Sequence, residues 1–476
     1  MQKKFLGALF LMMVLNVLVK PVWIFGIDRG VQNITGFGDY GHYFALLNFC
    51  MVLGFLLDPG IHIHVSRVMS ARRSEHADVF WDGLYAKLLL TGVYFVVVSL
   101  TAMVAGFKDL RLLASIMVLH ASMSLLGYLR IQLTAGQRFR AEGLLSVTDK
   151  SIVILTVGAM LLWPDIFGRI TIVRFVALQI GGILIAVCLS AWFIIRSREG
   201  FSFRPFRGFR RELLFSSIPF AVNVFLMTII LRMDGILLER LHPNGNQEAG
   251  LYASGFRILD AFSMMGTLAA GFLLPFVARH WPDVRAFRHT VTVSRRALMC
   301  AAILIASVGL AIPEYLTQML YHRSDPTIVR LMRIILLALP GLSLVSIHGT
   351  LLTATGHIRS FIHASVFMAM LSLILNAWFI PRYGAYACAT IAVIAQSLYA
   401  IVLIHRTRRY QGLGLPAFEA MSYLFVGLMG YGAIRTMVFY QGPVPVSVSL
   451  SVLLTGLLFY ATLGFGLKDL RRLLRP

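Results

Sequence analysis

Long apolar runs separated by short, mostly basic loops recur along the whole chain. Each run holds roughly 20 residues, the length a helix needs to cross a ~30 Å hydrocarbon core. A transmembrane barrel would alternate apolar and polar positions in segments of about 10 residues, and such segments are absent from the sequence. The pattern predicts an all-α polytopic membrane protein with about fourteen spans, near 5–27, 40–65, 80–106, 110–133, 143–163, 170–195, 212–238, 249–278, 293–313, 328–352, 360–380, 384–405, 415–435 and 446–467. The first run follows Met1-Gln2-Lys3-Lys4 like a signal peptide. It is too long for one and lacks a small-residue cleavage site, so it reads as an uncleaved span.

The spans repeat internally. Asp39-Tyr40-Gly41-His42-Tyr43 opens span two, and Glu248-Ala249-Gly250-Leu251-Tyr252 opens span eight. Leu133-Thr134-Ala135-Gly136 closes span four as Leu352-Thr353-Ala354-Thr355-Gly356 closes span ten. Trp163-Pro164-Asp165-Ile166-Phe167-Gly168 matches Ile380-Pro381-Arg382-Tyr383-Gly384, and Gln179 and Gln396 follow in step. Equivalent helices lie six spans apart, an even number, so the halves insert the same way up. This predicts two parallel lobes with a substrate site between them. The expected division is a lobe over 1–198, a basic linker over 199–211, a lobe over 212–410, and two extra helices with a basic tail over 411–476.

The composition is 58% hydrophobic and the formal net charge is +22. In a soluble chain that charge would suggest nucleic acid. Here Lys and Arg concentrate in loops on the side that holds the N-terminus, at Arg67 to Arg73, Arg138 to Arg140, Arg196 to Arg211, Arg279 to Arg296, Arg406 to Arg409 and Lys468 to Arg475. That bias marks cytoplasmic loops and predicts both termini in the cytoplasm. The Arg196–Arg211 join interleaves arginines with Phe201, Phe203, Phe206 and Phe209. It reads as a segment lying on the anionic inner leaflet, not as a nucleic-acid surface. Cys50, Cys188, Cys300 and Cys388 all fall in apolar runs without metal-ligand spacing and read as packing residues.

Charge inside hydrocarbon is costly unless it meets a partner or a water-filled cavity, so intramembrane charges are the functional candidates. The densest group is the hairpin over 229–262, with Arg232, Asp234, Arg257 and Asp260 on its two flanks. Lys20 precedes Pro21 in span one, with Asn16 one turn earlier on the same face. Asp58 precedes Pro59-Gly60 inside span two, where the proline loosens the helix. His62 and His64 read as packed hydrogen-bonders, and Lys87 and Lys150 as side chains that snorkel to the cytoplasmic surface. Asn48, Asn223, Asn376 and Gln396 read as interhelical hydrogen-bonders. No P-loop, HExxH or GxSxG is present, so the sequence predicts no enzyme and no cofactor. Energy for transport would come from H+, Na+ or the membrane potential.

Several motifs resemble one family. They are Gly38-Asp39-Tyr40-Gly41; Leu57-Asp58-Pro59-Gly60 with Arg67; Arg232-Met233-Asp234 with Leu237-Leu238-Glu239; Glu248-Ala249-Gly250-Leu251-Tyr252-Ala253; and Asn376-Ala377-Trp378-Phe379-Ile380-Pro381 running into Tyr383-Gly384-Ala385. In order and spacing, over about residues 5–410, they resemble the bacterial polysaccharide-transporter proteins. That family contains the O-antigen and exopolysaccharide flippases, within the superfamily of multidrug, oligosaccharidyl-lipid and polysaccharide exporters. The resemblance implies an inner-membrane flippase with two six-helix lobes that alternate access. It implies an undecaprenyl-pyrophosphate-linked oligosaccharide as substrate, membrane lipids around it, and other polysaccharide-assembly membrane proteins as candidate partners.

Relatives are expected to hold the pyrophosphate with cations on spans one, two and eight. Lys20 and Arg257 match two of these positions. Span two departs from the pattern, since its interior charge is Asp58 and Arg67 lies at its edge. Lys20 is read either as a phosphate ligand or as a lysine reaching the outer interface about two turns away. Arg257 is read as a phosphate ligand or as half of a packing pair with Asp260. Asn16 and Arg232 complete the substrate-binding set, with an interfacial role near the outer end of span seven as the alternative for Arg232 and Asp234. Asp58, Asp234 and Asp260 are the ion-coupling or gating candidates, with capping of the broken helix as the alternative for Asp58. An organic-cation or multidrug antiporter of the same superfamily is the competing function. The two basic positions Lys20 and Arg257 favour an anionic substrate.

Overall fold

The computed structural model describes residues 15–16, 18–62, 65, 76–135, 138–196, 218–322, 325–440, 443–464 and 466. The described residues fold as helices and connecting turns, with no strand among them. A π-helix, Val22–Asp28, runs directly into α1, Arg29–Val52, and a 3-10 turn, Leu53–Leu56. Then come α2 (His76–Val104), α3 (Leu110–Ala135), α4 (Phe139–Leu162), α5 (Ile172–Ile195) and α6 (Ile218–Leu241). The second half holds α7 (Gly245–His280), α8 (Val284–Ala311), the short α9 (Pro313–Tyr321), α10 (Pro326–Leu336) and α11 (Leu339–Ala354). It ends with α12 (Ile358–Tyr383), α13 (Ala385–Gln411), α14 (Ala417–Phe439) and α15 (Val444–Leu463). Among the described residues, twelve stretches are long and apolar enough to cross a membrane, so the chain is a multi-pass integral membrane protein.

The chain forms two compact units, Met1–Ile236 and Leu237–Pro476. In the first, α5 packs against α3 and α4 and touches α1. In the second, α7, α11 and α13 pack on one another, and α14 and α15 pair together against α8. Small residues let these backbones approach, the usual basis of helix association where no water is present to drive burial. A Cβ at Gly341 would stand 2.8 Å from the backbone carbonyl carbon of Gln396 and 3.0 Å from the amide nitrogen of Ser397. α11 and α13 therefore meet backbone to backbone at that point. Gly341→Val is expected to cost about 1–3 kcal/mol through forced separation, read as a lower unfolding midpoint in detergent. An unchanged midpoint would show that the crossing is not close-packed.

Three span boundaries differ from those expected. Span one does not end near residue 27. Helical backbone continues through Asp28, Arg29 and Gln32, and the break comes at Gly36, at φ 84° and ψ 168°. That conformation suits only glycine, so the expected loop between spans one and two shrinks to a kink. Lys20 therefore lies sixteen positions before the break, roughly 24 Å of helix at 1.5 Å per residue. Secondly, the basic loop expected over 279–296 is largely helical, because α8 starts at Val284. Thirdly, span ten divides into α10 and α11, with Pro340 in the first turn of α11. His64, Arg67, the 199–211 join and the 468–475 tail lie outside the described residues.

Candidate functional site

The candidate residues other than Arg232 and Asp234 fall into three polar groups, two in the first unit and one in the second. The first group joins the N-terminal helical stretch to α4. Asn16 donates from Nδ2 to Ser146 Oγ at 2.9 Å. Lys20, one turn on, lies within electrostatic reach of Arg130, Asp149 and Lys150. Asp149 and Lys150 stand 3.4 Å apart. The Lys150 ammonium sits 4.7 Å over the Trp23 ring, a contact that favours a cation. Arg130 on α3 pairs with Glu142 on α4. Glu142, Ser146, Asp149 and Lys150 recur at the three- and four-residue spacing that shares one helix face. Three cations, Lys20, Arg130 and Lys150, thus share this region with two carboxylates.

Lys150 does not snorkel as expected. It lies eleven residues into α4, counting from Phe139, and its charge is met by Asp149 and Trp23. Sequence inspection passed over Arg130, Glu142 and Asp149 because each stands near a predicted span end. Their common face was visible in the spacing. Just beyond lies a further carboxylate that the loop assignment hid. Asp28 is 3% exposed and accepts a hydrogen bond from Tyr40 Oη at 2.8 Å. Gln179 on α5 donates to Tyr43 Oη at 3.4 Å and so links α5 to α1.

The second group is built on the helix break after α1. Asp58 Oδ1 accepts from the backbone amides of Gly60 and His62, each at 3.2 Å. This is the capping role, with an aspartate satisfying amides that the break leaves without partners. Its other oxygen, Oδ2, lies 2.5 Å from His62 Nδ1. On the far side of the ring, His62 Nε2 lies 3.2 Å from Lys87 Nζ. Lys87 also donates to the Leu57 carbonyl at 3.3 Å. The arrangement matches an imidazole that donates from Nδ1 and accepts at Nε2. It forms one continuous chain from ammonium to ring to carboxylate.

Lys87 is therefore not a snorkelling lysine. It is 1% exposed, because the broken helix leaves the Leu57 carbonyl free to accept from it. His62 is a packed hydrogen-bonder, as expected, here bridging a carboxylate and an ammonium. An apolar wall of Ile61, Phe80, Ala86 and Tyr128 closes this corner.

The third group is on α7, where Arg257 Nη1 lies 3.4 Å from Asp260 Oδ2 and each side chain is about 12% exposed. Ser263 Oγ donates to the Asp260 carbonyl at 2.8 Å. On α6, Asp234 is buried at 2% exposure while Arg232, two residues earlier, is half-buried. Four asparagine and glutamine side chains are expected to bridge helices, and some of their contacts are local. Asn376 donates to the Ser372 carbonyl at 2.9 Å on its own helix. Asn223 reaches the Met227 sulfur at 3.6 Å, also one turn away. Both Asn48 side-chain atoms and Gln396 Oε1 are buried without a hydrogen-bond partner among the described residues.

The fold is similar to those of solved membrane transporters. The lipid II flippase MurJ, in an inward closed conformation, aligns at TM-score 0.69 and 12% identity over 95% of this chain and 99% of its own. A multidrug resistance MATE family transporter of the MOP superfamily, inward-facing, aligns at TM-score 0.63 and 14% identity over 84% of this chain and 98% of its own. A mutant of the Vibrio cholerae MATE transporter VcmN aligns at TM-score 0.57 and 13% identity, over 86% of this chain and 98% of its own. No curated protein matches the sequence significantly. The family model described as "Polysaccharide biosynthesis protein" matches residues 6–281, more than half of the sequence. The chain belongs to the polysaccharide biosynthesis protein family.

Proposed function

We propose that this protein is a flippase that carries a polyprenyl-pyrophosphate-linked oligosaccharide from the cytoplasmic to the outer leaflet of a bacterial inner membrane. The observation that carries the reading is the cationic group of Lys20, Arg130 and Lys150 held inside the first unit of a polysaccharide-biosynthesis family member. Lys20 and Arg257 are the phosphate ligands in this reading. A guanidinium offers a planar fork to phosphate oxygens and an ammonium a point charge. Asn16, hydrogen-bonded to Ser146 one turn from Lys20, and Arg232 assist them.

The fold likeness to MurJ supports alternating access as the transport mode. The positive loop bias supports cytoplasmic termini. Coupling belongs to the carboxylates. Asp58 leads because it is joined through His62 to Lys87, a chain along which a proton can shift. Asp234 and Asp260 are the other two carboxylates assigned to coupling or gating.

A second reading, export of an organic cation, is favoured by two observations. One is the likeness to MATE transporters. The other is the set of carboxylates inside the helices, Asp28 and Asp234 among them.

The deciding measurement is lipid selectivity of the purified protein. Binding of a polyprenyl-pyrophosphate-sugar is compared with binding of a lipophilic cation, for wild type and for Lys20→Ala/Arg257→Ala. The flippase reading expects glycolipid binding that weakens by at least about a hundredfold in the double variant, near 2.8 kcal/mol at 1.4 kcal/mol per decade. Cation binding that survives in the variant, with no glycolipid binding in either protein, would assign the protein to the exporters.

A further inference from the structure

A cavity away from all three polar groups lies at the end of the second unit where α8 begins, α13 ends and α14 starts. It measures about 540 Å³ and is lined by Arg288, Thr292, Arg295 and Arg296 of α8, Arg408 of α13, the Gly412–Pro416 turn and Glu419 of α14. Four guanidiniums therefore face one carboxylate. That carboxylate is fully committed. Glu419 Oε2 accepts from Arg295 Nη2 at 2.8 Å, and its Oε1 accepts from Arg296 Nε at 3.4 Å and from Tyr423 Oη at 2.5 Å. Arg295 also donates to the Gly414 carbonyl at 3.0 Å, and Arg296 to the Leu463 carbonyl at 2.7 Å. Arg288 and Arg408 have neither an ion pair nor a side-chain hydrogen bond to any described residue.

The wall adds a second source of positive potential. α14 begins at Ala417 behind Pro416, which supplies no side-chain cap, so its first amides open beside the cavity without a capping acceptor. Both features suit an anion with several oxygens, since guanidinium forks and helix N-termini each recognise phosphate geometry. The outer face of α14 continues from the cavity as an apolar column. Phe418, Met421, Leu424 and Leu428 are each about 68–70% exposed. A ligand with a phosphate head and hydrocarbon chains matches both parts.

We infer that this cavity binds the phosphate headgroup of an anionic phospholipid, with its acyl chains along α14. The bound lipid ties the α13–α14 turn to α8 and gives Arg288 and Arg408 their counter-charge. The proposal concerns a membrane lipid rather than the transported molecule, so it stands or falls independently of the flippase reading.

The test uses the full chain in detergent and three probes: short-chain phosphatidylglycerol, phosphatidylcholine of the same chain length, and inorganic phosphate. Thermal stabilisation of wild type is titrated against each, alongside R288Q/R408Q. That substitution removes no described bond, so the lipid-free unfolding temperature is expected to match wild type. Phosphatidylglycerol should stabilise wild type saturably, phosphatidylcholine should not, and the variant should bind phosphatidylglycerol at least tenfold more weakly. Equal phosphatidylglycerol affinity in the variant, or equal response to the two lipids, would overturn the proposal. Displacement of phosphatidylglycerol by an equal concentration of inorganic phosphate would show a free-phosphate site and overturn the lipid assignment. If the double variant does not purify, R288Q and R408Q are titrated singly, each with an expected loss of at least threefold. No loss in either would overturn the proposal in the same way.

Discussion

Glu419→Ala is expected to destabilise the protein by about 3–5 kcal/mol, the cost typical of breaking a buried ion pair by removing one partner. The side chains of Glu419 and Arg295 are each 4% exposed. Their contact lies where α14 packs on α8. Loss of the carboxylate leaves the Arg295 guanidinium buried with only the Gly414 carbonyl. It also removes an acceptor from Arg296 and from Tyr423. The effect should appear as a lower midpoint of denaturant unfolding in detergent, with α14 and α15 becoming the first region open to proteolysis. Glu419→Gln keeps an acceptor for Tyr423 but not the charge, and should fall between alanine and wild type. A midpoint within 1 kcal/mol of wild type for the alanine variant would show that the pair does not hold the C-terminal helices.

The second large effect is expected at the broken helix. Asp58→Asn keeps a capping oxygen for the Gly60 and His62 amides, since asparagine caps about as well as aspartate. It removes the charge that balances Lys87, which is buried. The single variant should therefore lose about 3–5 kcal/mol. Adding Lys87→Met removes the uncompensated cation, and most of that stability should return. Transport should not return with it. Flux in proteoliposomes is expected to stay at least tenfold below wild type in Asp58→Asn/Lys87→Met, because the chain from Lys87 through His62 to Asp58 can no longer carry a proton. If the stable double variant transports like wild type, the three residues only brace the helix break, and coupling must be sought at Asp28, Asp234 or Asp260.

Much of this protein follows from local chemistry. The all-helical, multi-pass fold is written in apolar runs of spanning length, since lipid leaves a backbone no other partner than its own helix. Glu248 opens one repeated motif and Gly384 closes another, and no spacing joins the two. In the structure the Glu248 carboxylate accepts from the Ala385 amide at 2.8 Å. The Arg257–Asp260 contact could be read from a three-residue spacing, because residues that far apart share a helix face.

What the sequence could not decide was depth and partnership. Asp28 and Arg29 looked like loop residues because a charged pair after an apolar run is the ordinary end of a span. Only the backbone shows that the turn waits for Gly36. Lys87 and Lys150 looked like snorkelling lysines because each stands within reach of a predicted edge. Their actual neighbours, the Leu57 carbonyl and His62 for one and Asp149 with Trp23 for the other, combine a helix break or a local pair with side chains brought in from other helices. The joining of Arg295 to Glu419 spans 124 positions, and no local pattern announces it. Hydrophobic periodicity determines that a helix forms and which length it spans. Which charges meet inside the membrane depends on helix packing, and that is set by the summed fit of many small contacts distant in the sequence.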